Sequence, residues 1–334
     1  MTIETNQAGP LLRRDLIAAG VTDAEIRAAV RTGCFTRMAS GSYVSSGSYF
    51  ALDPDDQYRI RVRAEAARAF GLVVSHRSAA ALYDLPLLDT HQRPVHLTRP
   101  GRGGGRRTAT RWVHAGDLPG RFHLVVGGVD VTSVARTLVD LGRTDSIEST
   151  VAAGDAALHG GIVTASEIVD ALVSARWHKG IAAAWRALRL VDGRSESAGE
   201  SLLRLALRGL GLPSPALQAE IRDEQGRFVA RVDLAFLRFG VLVEFDGRVK
   251  YQKLLKPGQS VTDVVLKEKR REEQLTELGW LVIRVIWADL RDPALLAQRI
   301  LRACLARRRL VENGGIRGNA IVPPELQISE PVGA

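Results

Sequence analysis

Apolar and polar positions alternate along the chain with two different periods, and the switches between them mark its elements. Leu12, Leu16 and Ile17 share one face of a predicted helix over about residues 13–19. Gly20-Val21 breaks it. Thr22 then opens a second helix, about 23–32, as an N-cap with Glu25 completing a capping box. Ile26 and Val30 turn inward, Arg27 and Arg31 outward; Gly33 ends the helix, and residues 35–44 alternate around Gly41 as a β-hairpin. Helix, short turn, helix and hairpin is the winged helix-turn-helix pattern, whose second helix enters the major groove. Arg27, Arg31 and, on the wing, Arg37 are the expected phosphate or base contacts.

The middle of the chain predicts a mixed α+β region. Residues 53–70 form an arginine-rich amphipathic helix with Ile60, Ala64 and Ala67 inward, and Ser75 caps a second helix over 76–85. Short strands are expected at 94–98, 112–113, 124–126 and 129–131. A helix follows, capped by Thr132 or Ser133, and three more at about 147–158, 165–174 and 180–188. The glycine run at 101–105 lacks the Lys-Ser/Thr of a phosphate-binding loop, and residues 100–108 around it read as a flexible basic turn. His76, at a helix start, reads as a packing or capping residue. The histidines show no HxH or HExxH spacing, so the sequence predicts no histidine metal site.

Composition resets near Val191. Ser197 and Glu200 form a predicted capping box for a helix over 200–210, followed by strands at 217–221, 231–236 and 241–245. A helix over 267–278, a strand at 280–286 and a last helix opened by Asp292-Pro293 and running to about 309 complete the region. Three acids interrupt the apolar strands. Alternation puts Glu244 and Asp246 on one face and Val243 and Phe245 on the other, with Asp233 opposite to Val232 and Leu234. If the two strands are neighbours, Asp233, Glu244 and Asp246 converge on one sheet face, and Glu200 can join them. Converging carboxylates repel unless protonated or bridged by a cation, and hard oxygen ligands suit Mg²⁺ or Mn²⁺. A metal beside a lysine such as Lys250 is what phosphodiester hydrolysis requires. The plain alternative is that these are strand-end acids satisfied by arginines such as Arg231.

The bulk numbers narrow the setting. The 334 residues are 46% hydrophobic, enough for two or three domains with real cores. A formal charge of +9 favours a polyanionic partner, and no apolar run approaches a membrane span, so a nucleic acid, DNA or RNA, is expected and a membrane is not. Cys34 and Cys304 stand far apart without CxxC spacing, which removes a disulfide framework and suggests a cytoplasmic protein. Lysine occurs only at 179, 250, 253, 256, 267 and 269, so all but Lys179 follow the carboxylates directly.

Two family resemblances organise these readings. Ala19-Gly20-Val21 and the Gly33…Arg37…Gly41-Ser42-Tyr43-Val44 wing resemble the N-terminal domain of AbiEi-type antitoxins of type IV toxin–antitoxin systems. The strings SHRSAAALYDLP and VTSVARTLVDL look like the domain that follows it in actinobacterial proteins. Glu200, Asp233, Glu244-Phe245-Asp246-Gly247 and Glu268…Arg271…Leu275…Gly279-Trp280…Arg284-Val285 resemble a PD-(D/E)XK nuclease fold of the very-short-patch-repair-endonuclease-like branch. The resemblance implies an α/β multidomain chain. A winged helix-turn-helix (1–48) and an antitoxin-like α+β middle domain (49–190) precede a restriction-endonuclease-like α/β sheet domain (195–310) and a disordered tail (311–334). It assigns metal binding to Glu200, Asp233 and Glu244. Asp246 stands where the superfamily places lysine, so Lys250, Lys267 or Lys269 would have to reach in, with Glu268 and Arg271 in supporting or phosphate-contacting roles. The expected function is a Mg²⁺-dependent DNA endonuclease targeted by the winged helix. The alternative is a DNA-binding antitoxin-type regulator with an inert nuclease fold, partnered by a cognate toxin or a second protomer.

Overall fold

The computed structural model of the protein describes residues 9–88, 94–101, 103–208, 212–247, 261–325 and 328. The fold is mixed α/β with three sheets. The chain divides into two compact units, one drawn from Met1–Ala153 and Gly161–Arg189 with Ile328, the other from Gly154–Gly160 and Leu190–Gln327.

The first unit opens with β1 (Leu11–Leu12), α1 (Arg13–Ala18), α2 (Asp23–Arg31), β2 (Phe35–Ala39) and β3 (Ser42–Ser45). The three strands pair antiparallel in the order β1-β3-β2. The α2 capping box is present, with Thr22 Oγ1 accepting from Glu25 N and Glu25 reaching back to Thr22 N at 2.8 Å. Leu16, Val21, Ile26 and Phe35 form a small core. After α3 (Ser46–Phe50) comes α4 (Pro54–Ala66), and Ile60 of α4 packs with Val44 and Tyr49. This cluster ties β3 and α3 to α4 within one unit.

The rest of this unit is β4 (Val73–Val74), α5 (His76–Leu82), β5 (Val95–Pro100), β6 (Arg106–Arg107), β7 (Arg111–Gly116), β8 (His123–Val126) and β9 (Val129–Thr132). The helices α6 (Val134–Thr144), α7 (Ile147–His159), α8 (Ala165–Ser174) and α9 (Ile181–Leu188) follow, and α7 runs past the unit's boundary. The six strands lie in the order β6-β7-β5-β4-β9-β8, with β5–β7 and β4–β9 parallel. Val74, Val95, Leu97, Val113 and Val131 pack against Tyr58 and Val62 of α4. Each such fully buried aliphatic contributes roughly 1.5–3 kcal/mol. Three expectations change here. The helix expected over 53–70 ends at Ala66. Arg106–Arg107, expected in a flexible turn, pair with β7 as a short edge strand, since β7 offers an unpaired edge. Ser75 occupies the N-cap position of α5 without bonding its first turn, because Thr98 and His76 engage its hydroxyl.

The second unit contains α10 (Ala198–Leu207), β10 (Ala216–Arg222), β11 (Phe228–Phe236), β12 (Val241–Phe245), α11 (Val261–Glu277), β13 (Leu281–Val285), α12 (Pro293–Glu312) and β14 (Asn319–Ile321). Its sheet runs β13-β12-β11-β10-β14, with β12 and β13 parallel and joined across α11. Leu203 and Leu207 of α10 and Ile300 and Cys304 of α12 cover Val241 and Val243 on one face. Leu275 of α11 covers Leu242 on the other. The tail is not wholly irregular: residues 311–312 extend α12, and β14 pairs antiparallel with β10. An edge strand there satisfies backbone groups that β10 would otherwise leave open.

Strict alternation fails at Asp233. Leu217 and Leu234 pack toward α10 and α12, whereas their neighbours two residues away, Ala219 and Val232, pack toward α11. Gln218 lies between, with φ at 52°, and this left-handed residue reverses the pleat. Val232 and Leu234 therefore do not share a face, contrary to the simple period of two.

Candidate functional site

The acidic residues of the second unit meet at the point where β11 leaves β12. Their ladder runs Phe236↔Val241, Ala235↔Leu242 and Leu234↔Val243. At the next step the Asp233 side chain takes over, its Oδ2 accepting from Phe245 N at 2.7 Å. Glu244 points to α11, where both its oxygens accept from Arg271, at 2.8 Å to Nη1 and 2.9 Å to Nη2. Arg271 also binds Glu268, and Arg284 of β13 binds Glu268 at 2.6 Å and Glu272 at 2.9 Å. Burial works against charge on Arg271, but hydrogen bonds and attraction from Glu244 and Glu268 outweigh it and raise its pKa. Burial likewise opposes the Glu268 carboxylate, and Arg271 with Arg284 holds it below the usual range.

Glu200 is buried in the first turn of α10 and fully engaged. Oε1 accepts from Ser197 Oγ at 2.7 Å, and Oε2 accepts from Glu196 N and Gln218 Nε2, both at 2.9 Å. The expected capping box is thus half-made: Ser197 Oγ accepts from Glu200 N, but the return bond goes to the amide one residue earlier. Glu200 belongs to the helix on one face of the sheet, while Glu244 is held by the helix on the other. The carboxylates of Glu200, Asp233 and Glu244 do not come within 4.8 Å of one another as a set, so the expected convergence on one face reduces to Asp233 beside the strand that carries Glu244. Asp246 is half-buried past the end of β12, its amide donating to Val285 O at 2.7 Å. Lys267 and Lys269 are exposed on α11; Lys250 lies outside the described residues. Arg27, Arg31 and Arg37 are all exposed on α2 and β2, which leaves their guanidinium groups open to an external anion.

A second constellation, not predicted from the sequence, occupies the first unit. His96↔Trp112 and Thr98↔His114 are partners on parallel strands, so these four side chains share the face opposite Val95, Leu97 and Val113. His76, at the start of α5, stacks on His114 with ring centroids 3.7 Å apart, and His96 Nδ1 lies 3.1 Å from His114 Nε2. The three imidazoles bring one nitrogen each within 4.8 Å of the others. Ser75 Oγ engages His76 Nδ1 at 2.9 Å, and Thr98 Oγ1 donates to Ser75 at 2.8 Å. Burial pushes His76 down to about 4; burial and the neighbouring His76 push His114 down to about 3. Asp140, fully buried on α6, binds Arg136 at 3.1 Å and Arg143 at 2.8 Å. His76 has φ at 53°, a left-handed backbone that non-glycine residues seldom adopt. No linear motif marks this cluster; its one trace in sequence is a histidine at matching parity in Val95-His96-Leu97-Thr98 and Trp112-Val113-His114.

No family model matches the chain. The uncharacterized proteins Rv2248 and MT2308, from two strains of Mycobacterium tuberculosis, are each 34% identical to it over 226 residues, covering 67% of this chain and 78% of theirs. The chain belongs to their family. Among solved structures, the crystal structure of the RV2827C protein from Mycobacterium tuberculosis matches this Rv2248-family chain with a TM-score of 0.35 and 14% identity, over 54% of this chain and 69% of that one. No described helix of this family member is long and apolar enough to cross a membrane.

Proposed function

We propose that this chain is a DNA-binding protein whose second unit is a nuclease-fold domain hydrolysing phosphodiester bonds with Mg²⁺ or Mn²⁺. Its N-terminal winged helix directs it to DNA. The observation that carries the reading is the parting of β11 and β12. There the Asp233 carboxylate bonds to Phe245 N in the middle of Glu244-Phe245-Asp246, with α11 and its exposed lysines alongside. Exposed Arg27 and Arg31 on α2, with Arg37 on the hairpin, support the DNA-binding part.

The donor chemistry of this strand end fits a hard divalent cation, since Asp233 and Glu244 offer carboxylate oxygens of the type Mg²⁺ prefers. Such an ion would supply a polarised phosphate oxygen and a more acidic water. Glu200, with both oxygens engaged, orients α10 and Gln218 rather than serving as a ligand. Glu244 becomes available once Arg271 releases it. The freed guanidinium then has the bidentate geometry for a phosphate. Lys267 and Lys269 add positive charge on the same helix for the backbone of the nucleic acid.

The test is nicking of supercoiled plasmid by the full chain with Mg²⁺ or Mn²⁺, with Asp233→Ala abolishing it. DNA binding without cleavage under either ion overturns the catalytic reading. It would favour the second one, a non-catalytic regulator of the antitoxin type with a toxin or second protomer as partner. The bidentate Arg271–Glu244 pair, which puts a permanent cation where a metal would sit, favours that second reading.

A further inference from the structure

We infer that His76, His96 and His114 form a binding site for a transition-metal ion of the zinc class in the first unit, independent of the carboxylates of the second. Three imidazoles from three separate elements, α5, β5 and β7, offer nitrogens within 4.8 Å of one another. Imidazole is a preferred ligand of Zn²⁺, Co²⁺, Ni²⁺ and Cu²⁺ and a poor one for Mg²⁺, so the site selects a different cation from the acidic strand end.

The spacing suits such an ion. Two nitrogens bound tetrahedrally at about 2.0–2.1 Å lie roughly 3.4 Å apart. His96 Nδ1 and His114 Nε2 face each other at 3.1 Å. Two imidazole nitrogens aimed at one another share either a proton or a cation. Replacing the proton requires only that His114 or His96 move its N–H to the ring's other nitrogen, with no net loss of protons. Ser75 fixes His76 through Nδ1 and leaves Nε2 as its ligand atom, the outer-shell arrangement that orients metal-bound histidines. His76 stacks on His114 at an interplanar angle of 15°, and because imidazole lone pairs lie in the ring plane, binding requires its ring to turn out of this stack. Its left-handed backbone adds a second observation. Such a conformation costs on the order of 1–3 kcal/mol and persists where the surroundings hold it in place. Among the described residues no fourth histidine, cysteine or carboxylate joins the group, so the fourth position is open to water or a substrate atom.

A purely structural histidine core makes a different prediction. The full chain, stripped with chelator and titrated with Co²⁺, should develop the visible d–d absorption of a tetrahedral nitrogen site at about one equivalent, and Zn²⁺ should displace it. His114→Gln and His96→Ala should weaken binding by roughly tenfold or more. Glu244→Gln and Asp233→Ala should leave it unchanged, so the result is read separately from plasmid nicking. Folding of each variant is checked by circular dichroism; His114, half-buried at the strand surface, is decisive if His96→Ala fails to fold. Absence of d–d bands in the wild type, or bands that persist in a folded His114→Gln, overturns the assignment.

Discussion

At the scale of single residues, the two candidate sites answer their unfavourable charges in opposite ways. Glu244 is answered by the bidentate Arg271; His76 and His114 are kept uncharged by burial. Arg271→Ala takes the paired guanidinium from half-buried Glu244, while Arg284 still holds Glu268 and Glu272, at a cost on the order of 1–3 kcal/mol. If Asp233 and Glu244 accept a metal, millimolar Mg²⁺ or Mn²⁺ should restore the melting temperature of this variant more than that of the wild type. Equal shifts in both would argue against a cation site at Glu244. For His76 the folded pKa of about 4 lies below the ordinary value of 6.5. The unfolded chain therefore binds the proton first, and stability is full above about pH 6.5 and erodes as pH falls toward 4, at up to about 1.4 kcal/mol per pH unit. With chelator present, His76→Asn, whose side chain tolerates the left-handed backbone, should flatten this slope in urea titrations across that range. An unchanged slope would assign the acid sensitivity elsewhere.

At the scale of elements, much was legible because local rules decided it. The Thr22–Glu25 box, the Asp292-Pro293 start of α12 and the three strands around the acids all follow from capping chemistry and period. What could not be read was set by partners distant in sequence. Asn319–Ile321 has no strand signal of its own and becomes a strand because β10 presents an edge. The reversal at Gln218 depends on two sheet faces packing differently, and the histidine cluster depends on β5 and β7 being parallel neighbours. Residues 313–325 are a structural part of the second unit. Gly318, at φ 79°, lies where a Cβ would come within 2.1 Å of Arg222 O, and Arg317 N donates to Leu278 O at 2.8 Å. Truncation after Glu312 should therefore lower the urea midpoint of the second unit, by a loss on the order of 1–3 kcal/mol. A truncated protein as stable as the full chain would make β14 an ornament.

At the scale of the whole molecule, the proposed DNA-binding role makes a salt prediction, because a net charge of +9 and the exposed arginines of α2 would act through counterion release. The logarithm of the association constant should fall linearly with the logarithm of salt concentration, by about 0.9 per phosphate contact. Arg27→Ala with Arg31→Ala should lower affinity and make that slope shallower by up to about two contacts, measured by fluorescence anisotropy. An unchanged slope would move the DNA-binding face away from α2. The acidic strand end also carries a history of assembly. Asp233 and Phe245 sit across a tight hairpin, so their contact can form on a microsecond scale. Arg271 meets Glu244 only when α11 docks on β12, a contact between residues 27 apart in sequence and so of higher contact order. If this ion pair is a latch fastened after the folding barrier, weakening it should hasten unfolding while leaving the folding rate nearly untouched; a slowed folding rate would place it in the nucleus.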